Sequence, residues 1–280
     1  MAKGTVSSRY VEAQPRVRRG YFECRYGQLH VHNAIPPGGG FEEGTPLLCV
    51  HKPPLTGRMF ERFLSLAGRD RSVYAPDIPG FGDSDAPASR AGVAEYAAGI
   101  GDFLESMRFR QIDLLGYHTG ALIAAELAIT RPKQVRRVVM VSVPILSEAE
   151  REGLRRAPPV AAPVADGSHL PVEWRRTLDA YGPNVPLEIV ARTFTEKLQN
   201  AVPAAWVTAA ALQYPVRERL AVIPQAVLVL RPRDDLWDAT PRARELLPKA
   251  RFVELPEQGP AVFEAAPEAV FESVRDFLRG

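Results

Sequence analysis

Short apolar runs that alternate with helical stretches constrain this chain more than any other feature. The runs Leu47-Leu48-Cys49-Val50, Val73-Tyr74-Ala75, 112–115 and Val138-Val139-Met140-Val141 are separated by helical patterns at 59–67, 93–107 and 121–130. A repeated strand–helix–strand order calls for parallel strands joined by crossover helices, so an α/β fold with a mostly parallel, doubly wound sheet is expected. Upstream, 21–26 and 29–35 flank Gly27-Gln28 and read as an antiparallel hairpin, ended by the loop Pro36-Pro37-Gly38-Gly39-Gly40. Residues 1–20, with Arg16, Arg18 and Arg19, read as a solvated N-terminal tail.

The alternation stops at Pro144. From 145 to 220 the chain holds many prolines and amphipathic helical pieces carrying Trp174, Tyr181, Trp206 and Tyr214, with no strand-like run. This is expected to be a helical cap inserted at the C-terminal edge of the sheet, where ligand sites are built. The sheet resumes with 226–230, a helix near 240–247, the strand at 251–255 and a closing helix to Leu278, so the core domain is 21–144 with 221–280.

A chain of 280 residues, 46% hydrophobic, is long enough to bury such a core. Its 35 basic and 33 acidic residues leave a net charge of +2, with no basic stripe of the kind that binds nucleic acid. No apolar run approaches a membrane span, and residues 1–20 lack the apolar stretch of a secretory signal, so no membrane partner and a cytoplasmic location are expected. Cys24 and Cys49 fall in strand-like runs and read as buried reduced thiols. Nothing in the composition speaks to oligomeric state.

Within this pattern, Gly116-Tyr117-His118-Thr119-Gly120 sits between an apolar strand and an alanine-rich helix. The glycine frame matches the strand-to-helix nucleophile elbow G-x-S-x-G, with histidine in the place of serine. Ser84 and Ser142 have no such frame, and His169 lies in the expected cap.

From residue 21 onward the chain resembles the α/β-hydrolase superfamily, particularly its capped carbon–carbon hydrolases and haloalkane dehalogenases. Asp77-Ile78-Pro79-Gly80-Phe81-Gly82-Asp83-Ser84 is similar to that family's D-x-P-G-x-G-x-S turn. Leu255-Pro256-Glu257-Gln258-Gly259-Pro260 resembles its L-P-x-x-G-H segment, with Pro260 at the position of the catalytic histidine. Val50-His51-Lys52-Pro53-Pro54 is similar to the H-G-x-P turn; the resemblance puts Pro53, which has no N–H, where one oxyanion donor belongs. The resemblance places the triad carboxylate in Arg231-Pro232-Arg233-Asp234-Asp235, on Asp234 or, one residue on, Asp235. With serine and histidine both replaced, serine acyl-enzyme chemistry is unavailable at this elbow.

An imidazole is longer than a hydroxymethyl group, so His118 is expected to extend into the space left by the missing ring and meet Asp234 directly. The carboxylate would favour the imidazolium and raise its pKa from a reference near ~6.5, giving a general base for water activation or proton abstraction. Tyr117 and Thr119 beside it, with His51, Lys52, Pro53 and Trp237, are expected to line the substrate site. His51 has a loop-holding role as its competing reading, and Lys52 a solvated one. No dinucleotide or phosphate-loop fingerprint and no short-spaced metal motif is present, so no cofactor and no metal are expected. The function expected is an enzyme on a small, mainly apolar carbonyl or ester compound; the alternative is a non-catalytic small-molecule binder or receptor on the same scaffold.

Overall fold

A computed structural model describes residues 15–37, 43–157, 160 and 162–280. The strands are β1 (Arg18–Cys24), β2 (Gly27–Ala34), β3 (Leu47–Val50), β4 (Val73–Pro76), β5 (Ile112–Tyr117), β6 (Val135–Val141), β7 (Ala226–Pro232) and β8 (Arg251–Leu255). They form one sheet in the order β1-β2-β4-β3-β5-β6-β7-β8. The β1–β2 and β2–β4 pairs are antiparallel and the others parallel, which is the α/β-hydrolase fold expected from the sequence.

The strand residues sort onto two faces with period two. Leu48, Val50, Leu114, Val138, Met140, Val227 and Val229 join one apolar cluster, covered by the helices α2 (Val93–Ser106) and α3 (Thr119–Thr130). Leu47, Cys49, Leu115, Val139, Val141, Leu228 and Leu230 join the other, under α1 (Glu61–Ala67), α10 (Val262–Ala265) and α11 (Pro267–Arg279). Burial on both faces is why these strands read as continuous apolar runs rather than as alternating ones. The short α9 (Ala243–Leu246) fills the connection between β7 and β8.

Two boundaries differ from expectation. β1 starts inside the stretch read as a tail, with Arg18 opposite Asn33; an edge strand accommodates exposed arginines, so charge did not end the strand. Residues 1–14 and the glycines Gly38, Gly39 and Gly40 of the expected loop lie outside the described residues.

Between β6 and β7 the chain forms α4 (Glu148–Arg156), α5 (His169–Tyr181), α6 (Leu187–Gln199), α7 (Ala201–Gln213) and α8 (Val216–Leu220), a helical insertion with no strand among its described residues. It is tied to the core by polar contacts. Tyr214 donates to Glu126 of α3 at 2.7 Å, and Asn200 Nδ2 donates to the Pro54 carbonyl at 2.9 Å. Glu196 Oε2 accepts from the Thr56 N–H at 2.9 Å and from its hydroxyl at 3.2 Å.

Burial pushes the Glu196 carboxyl up to about 7, against the lowering effect of the Thr56 hydrogen bonds. The folded chain therefore holds a proton that the unfolded chain releases at lower pH. That stabilisation is complete below about pH 4.3, the reference value for a free glutamate, and is lost as pH rises through about 7. Urea unfolding is expected to lose about 2 kcal/mol of stability between about pH 5 and pH 8 from this residue, and Glu196→Gln is expected to flatten that slope. An unchanged slope in the variant would assign the loss to another group.

Candidate functional site

The elbow forms because two glycines let three backbones meet. A Cβ on Gly116 would lie 2.3 Å from the Gly120 carbonyl oxygen, and one on Gly120 would lie 2.2 Å from the Val50 oxygen and 2.6 Å from that of His51. Between them His118 has φ 57° and ψ −123°, a left-handed conformation that side chains other than glycine rarely adopt. The strain turns the imidazole out of the sheet at the C-terminal end of β5, and the Thr119 amide opens α3 directly behind it.

His118 and Thr119 form part of the wall of a cavity of about 410 Å³, together with Pro53, Leu146, Leu154 and Asp235. This wall is largely apolar. The structure brings His118, Pro53 and Thr119 together in this one wall. Trp237 is not in this wall; the Arg231 guanidinium lies over its ring, 3.7 Å from the centroid. The insertion aromatics are absent from it as well. Trp174, for example, packs edge-on against Phe194 at 5.5 Å.

The partner of His118 differs from the first expectation. His118 Nε2 lies 3.2 Å from Asp235 Oδ2, so Asp235, the off-by-one candidate, makes the contact and Asp234 does not. Asp234 is already saturated. Its Oδ2 accepts from the Ser142 hydroxyl at 2.6 Å and the Tyr117 hydroxyl at 2.9 Å, and its Oδ1 accepts from the Leu236 N–H at 3.0 Å. The space expected to be open near Pro260 is filled by the Tyr117 hydroxyl, 3.1 Å from the Pro260 carbonyl, and by Lys52 Nζ, 3.2 Å from the same oxygen. A tyrosine reaching from the strand below thus occupies the region His118 was expected to enter.

Tyr117 and Lys52 consequently lie behind the cavity rather than in its wall. Lys52 is buried, which lowers its pKa, but Tyr181, Asp235, Asp234 and Glu264 raise it further, so the ammonium is retained. It is neither solvated nor in contact with the cavity. Burial and the two aspartates push the Tyr117 phenol well above its usual range, so it stays a hydrogen-bond donor. Tyr117→Phe is expected to cost about 1–2 kcal/mol in unfolding free energy, because Asp234 and Lys52 would each lose a buried partner. Denaturant titration checks this; an unchanged midpoint would remove the hydroxyl from the network's energetics.

His51 holds a loop. It is fully buried, accepts from the Ile78 N–H through Nε2 at 2.8 Å and points Nδ1 at the Lys52 carbonyl at 3.2 Å. Both ring nitrogens are used, and burial pulls the imidazole down to about 4, so it is neutral and not exposed to a ligand. The competing structural reading is the one the contacts support, and the substrate-lining expectation for His51 is corrected.

Crowding by protein atoms pushes the Asp235 carboxyl up, but the charge and hydrogen bond of His118, with Lys52, hold it well below the usual carboxylate range. Asp235 keeps 70% of its side chain accessible, so the pair sits at the cavity mouth and is partly screened by water. A carboxylate only accepts, so the proton between them belongs to His118 Nε2. His118 Nδ1 is enclosed and has no hydrogen-bond partner.

Geometry and sequence agree with a comparison against known proteins: the model of the alpha/beta hydrolase family matches residues 37–273. The chain belongs to this family. It is 36% identical over 129 residues to a 2-hydroxymuconate semialdehyde hydrolase of Pseudomonas sp. (strain CF600), covering 44% of this chain and 43% of that protein. It is 30% identical over 115 residues to a 2-hydroxy-6-oxo-2,4-heptadienoate hydrolase of Pseudomonas putida, covering 40% and 42%. The matches span less than half the length of these curated relatives. An esterase structure from Rhodococcus sp. ECU1013 superposes with a TM-score of 0.74 at 22% identity, over 94% of this chain and 98% of that one, which shows the shared fold. No helix among the described residues is long and apolar enough to cross a membrane.

The sequence reading passed over Ser142 as a site residue and did not anticipate the carbonyl role of Pro260. Ser142 follows β6 with φ 52°, and only the neighbouring β7 puts Asp234 within its reach. A tyrosine ending an otherwise aliphatic strand, Leu114-Leu115-Gly116-Tyr117, was the one signal that a polar tip belonged there.

Proposed function

We propose that this family member is an enzyme acting on a small, mainly apolar carbonyl or ester compound, with His118 and Asp235 as the proton-handling pair and no acyl-serine intermediate. The observation that carries the proposal is the strained His118 backbone, which presents an imidazole paired with Asp235 to an apolar cavity. In the resting form Nε2–H donates to Asp235, leaving the lone pair on Nδ1 as the base. Protonation of Nδ1 makes an imidazolium, which the Asp235 carboxylate at 3.2 Å stabilises by charge. Nδ1 is enclosed in this ring position, so taking a proton from a water or a carbon acid requires the ring to turn toward the cavity, which exchanges the Nε2 contact for charge attraction to Asp235. The hydrolase names of the relatives favour hydrolysis; the same base also serves a lyase or isomerase through carbon-proton abstraction.

Pro53 weakens the oxyanion side of the site. It borders the cavity without an N–H, which leaves the Thr119 amide as the backbone donor at the opening of α3. Losing one such donor costs about 10²–10³ in turnover, and this favours the second reading, a ligand binder without turnover. Purified protein tested on aryl esters and β-dicarbonyl compounds separates the two: turnover supports the enzyme, and saturable binding with no product supports the receptor. A fluorophosphonate probe is expected to leave the protein unlabelled; stoichiometric labelling at Ser142 or Ser84 would overturn the serine-free mechanism.

A further inference from the structure

Away from the elbow, two strands and a turn bring three ligand-type side chains together. His30 and His32 lie two residues apart on β2, so they share a face, and Asp77 follows β4, the antiparallel neighbour of β2. Their ligand atoms lie within 4.8 Å of one another, and all three residues are at most 4% exposed. His30 Nδ1 is 2.8 Å from Asp77 Oδ2, and the His30 and His32 rings meet edge-on at 4.7 Å.

One atom in this cluster has no partner. His32 Nδ1 is buried without a hydrogen bond, and Glu61 Oε1 at the start of α1 lies 3.8 Å from it. An orphaned nitrogen in a core costs stability, and a cation in the cluster would remove that cost.

We propose that His30, His32 and Asp77 bind a divalent cation of the zinc type, with the part-exposed Glu61, which stands outside this three-residue cluster, swinging in as the fourth ligand. Two imidazoles and two carboxylates form a donor set that suits tetrahedral Zn²⁺. Bonds of about 2.0–2.1 Å in a tetrahedron put ligand atoms about 3.3 Å apart. The His30–Asp77 gap of 2.8 Å therefore opens by about half an ångström, the His32–Glu61 gap of 3.8 Å closes by about as much, and the cluster's widest separation, at most 4.8 Å, closes by up to about 1.5 Å. Asp77 Oδ1 stays with the Gly57 N–H at 2.7 Å, which orients the carboxylate for one-oxygen ligation. Ligation through His30 Nδ1 uses the tautomer that carries its proton on Nε2. Glu61, with 37% of its side chain accessible, gives the ion a way in from solvent. None of these residues borders the cavity at His118, so the ion would pin β2, β4 and α1 rather than act on the substrate.

The test is equilibrium dialysis of chelator-treated full-length protein against Zn²⁺, with Co²⁺ as a spectroscopic substitute. One equivalent is expected to bind, with the visible bands of a tetrahedral Co²⁺ centre and a higher Tm in the loaded protein. His32→Leu is expected to weaken binding at least about 100-fold, beyond the roughly 10–100-fold cost of losing an outer partner, and Glu61→Gln to weaken it about tenfold. His118→Ala should leave the affinity unchanged. If His32→Leu does not fold, ¹⁵N spectra of the wild-type protein with ¹¹³Cd²⁺ give the same answer through metal coupling on His30 and His32. No uptake by the wild-type protein, full affinity in His32→Leu, or coupling on His118 instead would overturn the proposal.

Discussion

Replacing His118 by alanine is expected to lower kcat/KM on any ester or β-dicarbonyl substrate found for this protein by about 10²–10⁴-fold, the usual worth of a positioned general base. The imidazole is paired with Asp235 at 3.2 Å and stands on a backbone with φ 57°, so no neighbouring side chain can take over its position. Alanine at this φ keeps the strain and removes the ring, so the folded fraction, read by circular dichroism, should change little beside the loss of rate. Asp235→Asn separates base from orienter. It leaves a side chain of the same size but removes the negative charge that stabilises the imidazolium, and a smaller loss is expected, concentrated in kcat. Turnover that survives His118→Ala would discard the His118–Asp235 mechanism while leaving the family assignment untouched.

Gly120→Ala is expected to cost more than about 3 kcal/mol of stability, or to prevent folding, although it adds a single methyl group. The new Cβ would stand 2.2 Å from the Val50 carbonyl oxygen and 2.6 Å from that of His51, both backbone atoms at the end of the central β3. Backbone cannot move aside as a side-chain tip does, and overpacking of this kind sits at or above the upper end of the usual 1–3 kcal/mol range. Gly153→Ala is the internal control. A Cβ there meets nothing within 4 Å on α4, and alanine is the better helix former by about 0.8–1 kcal/mol, so this variant should be neutral or more stable. Equal Tm values for the two variants would mean that α3 does not approach β3 as closely as the structure has it.

The elements were largely legible along the chain because they depend on local patterns. Runs such as Leu47–Val50 and 138–141 are apolar without interruption because both faces of a central parallel strand are covered, and Gly116 and Gly120 are spaced for a helix to cross β3 at close range. β1 was legible only from Tyr21 because charged residues at Arg18 and Arg19 look like solvent on either an edge strand or a tail. At the site, the resemblance to the family's elbow and H-G-x-P turn is what put His118, Pro53 and Thr119 together. Asp234 and Asp235 were not separable, since adjacent residues point in different directions and a one-residue choice is settled by what fills the space around each. Trp237 was misplaced for a similar reason: its ring follows the Arg231 guanidinium, and nothing in the order of residues says that they stack. His30, His32 and Asp77 gave no short-spaced metal motif because their meeting depends on strand pairing across a gap in sequence.

What the amino-acid order determined by itself is the sheet, its crossings and the bend that presents residue 118, because hydrophobic period and glycine placement act over a few neighbouring residues. Only the tertiary structure decided that Tyr117, itself met by Lys52, and Ser142 would occupy Asp234 and leave Asp235 for His118. Hydrogen-bond saturation is a matter of which polar tips arrive within about 3 Å of one another, and here those tips come from β3, β5, β6 and β7 at once.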